Sequence, residues 1–397
     1  MKVLLVHNRY RNPGGEDSVY ESERDMLRRA GVEVIEYVDD NHRAAEMNPL
    51  ALAVHATWAR DSHRRLLTLM RAERPDVAHF HNTFLMISPA AYYAARSAGV
   101  PVVQTLHNPR LHCPAASGFR EDRPCSECSG RLFAWPAVLH GCYRNSRAAS
   151  AAVAGMIGIH RLVGTWSRMV DVYIALTEAG RAEFIAGGLP ADRIVVKPNV
   201  LYPDPGMGTH SGGYALFVGR LVSEKGVHTL LRAWSRVGPD RELLIVGSGP
   251  LETLAGTAPP GTRWPGALPR TKVRRLMADA AFLVFPSEGV EGFPMVILEA
   301  FAAGLPVITS GYGAMAEIVE HGRTGLHFPA GDPDALAAAM RWAFEHPEEI
   351  RAMGRNARQT YEQRYTAARN CKELLGIYDL ARERAAARAR LPVASAA

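Results

Sequence analysis

Two strings in the second half of the chain carry side chains suited to a phosphate ester. In VGRLVSEKG, residues 218–226, a short apolar run ends on Gly219 and is followed by Arg220 and Lys225, just ahead of an amphipathic stretch starting near Val227. Glycine lets the backbone turn tightly, and the start of a helix offers unpaired amides to an anion. Arg220 and Lys225 add two cations at the same mouth, and charge-assisted bonds to phosphate are the strong kind. In EGFPMVILEAFAAGLPVI, residues 291–308, Glu291 opens a loop and Glu299 follows two helical turns later. Gly292, Phe293 and Met295 would present amides at a helix N-terminus, whereas Pro294 has no N–H to offer. A glutamate beside an anion makes sense when it receives hydroxyl groups, as of a sugar or a ribose. The plainer alternatives are solvated loop cations, a helix N-terminal charge for Glu291 and a solvated Glu299.

The first half offers histidines and glycines at the ends of apolar runs: His7 and Asn8, then Gly14 and Gly15, His79, His81 and Asn82, and His107. In open α/β sheets ligands bind beyond the carboxyl ends of the strands, so polar residues there are site candidates. A lone histidine is more often structural. Cys113, Cys125, Cys128 and Cys142 form another group, with a C-x-x-C spacing at 125–128. Four thiolates at such spacing match a structural zinc site, with His112 and His140 as alternative ligands. Reduced thiols in a long loop are the equal alternative, and Cys371 stands apart.

These residues need strands to position them. Short apolar runs alternate with longer amphipathic stretches, the pattern of parallel α/β folds. Strands are expected at Lys2–Asn8, Val32–Val38, Asp76–Asn82, Pro101–Asn108, Asp171–Thr177 and Ile194–Asn199. A stretch dense in Pro, Gly, Ser and Thr at Tyr202–Gly213 reads as a linker. Strands restart at Tyr214–Leu221, Glu242–Gly247, Arg263–Pro265, Ala281–Pro286, Pro306–Ser310 and Gly325–Pro329. The expected division is an N-terminal Rossmann-like domain over 1–200 with a cysteine-rich insert at about 110–145, a second over 212–375, and a C-terminal helix and tail over 376–397 returning toward the first. Two such domains would leave a cleft between them.

Length and composition agree. The chain has 397 residues, 47% hydrophobic and 22% charged, enough for two cores and unlike a disordered sequence. The formal charge of +6 suits nucleotides and sugar phosphates, an anionic membrane surface, or nucleic acid. The opening MKVLLVHNRY carries too short an apolar run for a signal peptide, and no stretch approaches a bilayer span. A cytoplasmic location, compatible with peripheral membrane contact, and reduced cysteines are therefore expected.

Taken in order, VGRLVSEKG at 218–226, VGSGP at 246–250 and EGFPMVILEAFAAGLPVI at 291–308, with weaker PGGE at 13–16 and TLH at 105–107, resemble the family 4 retaining glycosyltransferases of the GT-B fold. The resemblance implies an α/β protein of two Rossmann-like domains facing across a cleft. It implies transfer of a sugar from a nucleotide-diphosphate donor, UDP- or GDP-linked, to a hydroxyl acceptor such as a cell-envelope glycan, a lipid or a natural product. By it, Arg220 and Lys225 hold the diphosphate, Glu299 the ribose and Glu291 the sugar hydroxyls. Gly219 and the backbone from Gly292 to Met295 line the donor, and Pro265–Leu268 stands near the base. His107 faces the sugar, while Gly14 and Gly15 approach a phosphate or the acceptor. Retention follows from the family, with a donor phosphate oxygen taking the acceptor's proton. No Asp-x-Asp motif arguing for a divalent metal is read from the sequence, so no cofactor is expected for the chemistry, and a zinc in the cysteine insert would be structural. No nucleic-acid partner is expected.

Three other readings compete. A dinucleotide oxidoreductase needs G-x-G-x-x-G, and Gly247-Ser248-Gly249-Pro250-Leu251-Glu252 lacks the last glycine. A nucleotide-sugar epimerase or hydrolase could share the fold and donor site. A catalytically silent nucleotide-sugar sensor is argued against by the intact set of Arg220, Lys225, Glu291 and Glu299.

Overall fold

The computed structural model describes residues 1–11 and 14–390. Pro13 of the PGGE string and the last residues of the tail, Leu391–Ala397, lie outside the described residues. The strands, in chain order, are β1 (Lys2–Arg9), β2 (Glu33–Asp40), β3 (Val77–Asn82), β4 (Val102–Thr105), the two-residue β5 (Phe119–Arg120) and β6 (Arg123–Pro124), β7 (Val172–Ala175) and β8 (Ile194–Val196). They are followed by β9 (Ala215–Val218), β10 (Leu243–Val246), β11 (Thr262–Gly266), β12 (Phe282–Phe285), β13 (Val307–Ser310) and β14 (Gly325–Phe328). Each strand expected from the sequence is present, most of them trimmed where polar or proline residues end the run. The β5–β6 hairpin was not expected, because two-residue strands leave no periodicity.

The chain divides into two compact units. One comprises Met1–Ala116, Ser126–Tyr202 and the chain from Ala367; the other comprises Ser117–Cys125 and Pro203–Thr366. The first holds a parallel sheet in the order β2-β1-β3-β4-β7-β8. Strands covered on both faces read as continuous apolar runs, and Val3–Val6, Val77–Phe80 and Val172–Ala175 are buried throughout. The helix Ala367–Arg390 packs on this unit and adds Leu374, Tyr378 and Ala381 to its core.

The second unit holds the parallel sheet β11-β10-β9-β12-β13-β14. Strand order reverses between β9 and β12, the place where doubly wound sheets open a crevice beyond the strand ends. The segment read as a linker is pinned to this unit. Gly208 N donates to Ala303 O at 2.8 Å, His210 N to Ala278 O at 2.9 Å and Gly212 N to Asp279 O at 2.8 Å. A Cβ on Gly208 would lie 2.2 Å from Ala278 O, so only glycine lets the strap come so close.

Candidate active site

Both phosphate-suited strings lie at the switch point of the second sheet. Gly219–Lys225 follows β9 and leads into the helix Val227–Trp234, and Pro286–Pro294 follows β12 and leads into the helix Met295–Ala303. Gly226 joins the first loop to its helix at φ +70°, and a Cβ there would stand 1.9 Å from Pro286 O. The two loops are therefore in backbone contact. Glu224 O accepts from Glu288 N and Gly289 N, both at 2.9 Å, and Ser287 Oγ lies 3.0 Å from it.

The structure brings Lys225 and Glu291 together. Lys225 Nζ lies 2.5 Å from Glu291 Oε1, and Ser287 Oγ donates to the same oxygen at 2.5 Å. Lys225 also sits 5.4 Å from the Phe285 ring centroid. Arg220 is largely exposed, with Glu224 at 3.4 Å as its partner. Glu299 projects from the helix Met295–Ala303 to Arg270 at 3.4 Å; burial raises its pKa against the opposing pull of Arg270. Glu291 and Glu299 thus take different cations. Phe293 and Met295 are buried, Phe293 edge-on to Tyr365 at 5.8 Å, so these residues offer backbone rather than side chains. A Cβ on Gly118, beside the short hairpin, would lie 2.7 Å from Val290 Cγ2, which places that hairpin against the Glu291 loop.

In the first unit the polar strand ends form one network. Gly14 N donates to Asp17 Oδ2 at 2.8 Å at the start of the helix Gly15–Arg29. Asp17 Oδ1 lies 2.9 Å from His7 Nε2, and these two contacts outweigh burial to hold the Asp17 carboxyl below its ordinary value. His107, just past β4, stacks on His81 at 5.3 Å, with 3.1 Å between His107 Nε2 and His81 Nδ1. His81 Nε2 faces Glu23 Oε2 at 3.4 Å, and Glu23 Oε1 accepts from Lys197 Nζ at 2.8 Å. Burial drives the pKa of His107 down to about 3, so it is a neutral imidazole. Burial raises the Glu23 carboxyl, yet Lys197 and His81 overcome it and leave it low. The sequence reading missed Glu23 and Lys197. The available signal was Glu23 on the buried helix stripe with Val19, Tyr20, Met26 and Leu27.

Among the described residues, ligand atoms close enough to share an ion meet at Glu23, His79 and His81, and none of the four cysteines joins such a group. Lys197 Nζ already pairs with Glu23 Oε1 at 2.8 Å and His79 spends both ring nitrogens on Tyr378 and Thr105 at 2.8 Å, while Glu23 Oε2 and His81 Nε2 face each other at 3.4 Å without a hydrogen bond. Cys113, Cys128 and Cys142 belong to the first unit and Cys125 to the second, all half-buried. One Asp-x-Asp string does occur, Asp332-Pro333-Asp334. Asp332 there caps a helix, accepting from Asp334 N at 2.9 Å and Ala335 N at 3.0 Å, which corrects the sequence reading without supplying a metal site.

Comparison with known proteins agrees with this architecture. Residues 14–200 match the family described as glycosyl transferase 4-like domain, and residues 210–360 match glycosyl transferases group 1. A glycogen synthase of Mycobacterium tuberculosis is 30% identical over 366 residues, 88% of this chain and 80% of that protein. A GDP-mannose-dependent alpha-mannosyltransferase of Mycolicibacterium smegmatis is 29% identical over 374 residues, 89% of this chain and 90% of that protein. The fold superposes on Anabaena HepE, solved in complex with UDP, with a TM-score of 0.68 at 17% identity, covering 96% of this chain and all of HepE. With two parallel-sheet units and relatives along its length, the chain belongs to the glycosyltransferases of the GT-B fold and the family 4 type.

Proposed function

We propose that the chain transfers a sugar from a nucleoside-diphosphate sugar to a hydroxyl acceptor with retention at the anomeric carbon. The observation that supports this most is the contact between two loops at the β9/β12 switch point, one bearing Arg220 and Lys225, the other Glu291 and a helix N-terminus. In the reaction the bond from the sugar carbon to the diphosphate breaks, and its electron pair leaves with the phosphate oxygen. The acceptor hydroxyl bonds the same carbon on the same face, and its proton passes to the departing phosphate. Negative charge grows on the diphosphate, where Arg220, Lys225 and the backbone amides of Gly292 and Met295 stabilise it more than in the ground state. Glu291, already aligned by Lys225 and Ser287, receives sugar hydroxyls, and Glu299 receives those of the ribose.

In the first unit, Gly14 and Gly15 serve the acceptor side and neutral His107 serves the transferred sugar. The base is uracil or guanine, as the names of HepE's ligand and of the mannosyltransferase's donor suggest for this chain. Zinc at Cys113, Cys125, Cys128 and Cys142 would require three or more of their sulfurs to converge, which the described geometry does not provide. The reading includes no zinc.

The test is the pair Arg220→Ala with Lys225→Ala. Donor-induced thermal stabilisation by UDP- and GDP-sugars, and turnover, should both collapse while the cooperative melt persists. Wild-type stabilisation and turnover in the double variant would overturn the assignment. Incubating donor without acceptor separates transfer from epimerisation, since only an epimerase converts the donor sugar alone.

A further inference from the structure

The sequence concentrates cations in one part of the first unit. From Arg131 to Met169 there are five arginines and no Asp or Glu, and Pro49–Arg60 is also free of acids. The chain as a whole is close to balanced, with 46 Lys and Arg against 40 Asp and Glu, so this is a local segregation. The same two segments hold ten of the thirteen large apolar side chains exposed among the described residues.

These segments meet on one face. The helices Pro49–Thr57 and Trp135–Leu139 both pack on the helix Arg147–Leu162. His160 Nε2 pairs with Thr57 O at 2.9 Å, tying the ends of two of them together. A Cβ on Gly158 would stand 3.1 Å from Leu132 O and 3.6 Å from Phe133 Cδ2, which seats the Leu132–Phe133 turn on the third. Leu50 is 81% exposed, Leu162 is 72% exposed and Trp135 is 50% exposed. Cations rim them: the Arg131 guanidinium lies 5.4 Å from the Trp135 ring, and Arg147 Nε donates to Leu139 O at 3.1 Å.

We infer that this face docks on an anionic phospholipid bilayer. Leucine, phenylalanine and tryptophan would enter the headgroup boundary while the arginines neutralise lipid phosphates, the combination of an interfacial binder. A second copy of the chain would set the same cations against one another across an isologous contact. A nucleic acid would leave Leu50 and Leu162 uncovered. No helix among the described residues is long and apolar enough to cross a membrane, so the contact lies in the interface plane. The inference does not depend on the donor chemistry.

Sedimentation of the full chain with vesicles tests it. Phosphatidylcholine vesicles containing phosphatidylglycerol should carry the protein down, and phosphatidylcholine alone should do so at least about tenfold less; added salt should weaken binding. Leu162→Glu with Trp135→Ala, and separately Arg144→Glu with Arg147→Glu, should each lower partitioning by about fivefold or more, with melting temperature and donor turnover unchanged. Equal binding to both vesicle types, no sedimentation, or vesicle binding untouched by both variant pairs would overturn it. So would concentration-dependent self-association that Leu162→Glu abolishes, which would identify the face as a contact between copies.

Discussion

The ammonium of Lys225 and the Glu291 carboxylate are 2.5 Å apart, although 66 residues separate them in sequence. Both side chains are mostly covered, at 16% and 14% exposure, so water screens the pair little. The proposed diphosphate cation and the proposed sugar-hydroxyl acceptor therefore hold one another in place.

Removing Lys225 leaves Glu291 with only Ser287 on that oxygen. Lys225→Met should lower unfolding free energy by about 1–3 kcal/mol in urea titrations as well as weaken donor binding. Arg220→Ala, at an exposed position, should stay within about 0.5 kcal/mol of wild type yet still weaken donor binding. Unaltered donor affinity in both variants would remove them from the site.

Gly226 separates strain from site chemistry. Alanine there meets both an unfavourable φ of +70° and Pro286 O at 1.9 Å, and should cost more than about 2 kcal/mol. Gly31 has φ +79° with open space around it, so Gly31→Ala should cost only about 1 kcal/mol. Equal losses in denaturant melts would mean that the loop backbones do not touch as described.

The buried pair of Glu23 and Lys197 makes a sharper case. Lys197→Met strands a carboxylate beside His81 and should destabilise by about 3–5 kcal/mol. Adding Glu23→Gln should restore much of that, and a double-variant cycle by calorimetry reads the coupling. Strict additivity would show that the pair contributes no coupling.

Stability should fall as the solution turns acidic. Burial holds His79 and His81 well below their ordinary 6.5, so the folded protein resists protonation that the unfolded chain accepts. Their contribution is complete above about pH 6.5 and declines below it, by about 1.4 kcal/mol per pH unit for each proton taken up only on unfolding. Glu23, held low, loses its contribution in the same direction at lower pH. Unfolding free energies equal at pH 7.5 and pH 5.5 would contradict this burial.

The sequence by itself determined the strands of the two parallel sheets and the two loops, but not the short β5–β6 hairpin. Parallel strands covered on both faces must be nearly all apolar, and their ends are marked by the first glycines and charges, as at Val218–Arg220 and Phe285–Ser287. The helix start at Met295 was legible because Pro294 fixes the entry and Gly304 the exit. Strand order was not legible, since the same alternating pattern fits several arrangements. Only the tertiary structure set β9 beside β12, bringing Lys225 to Glu291, and only it closed Lys197 onto Glu23 across 174 residues. Those pairs depend on which strands become neighbours, a long-range choice made by packing that no local spacing records.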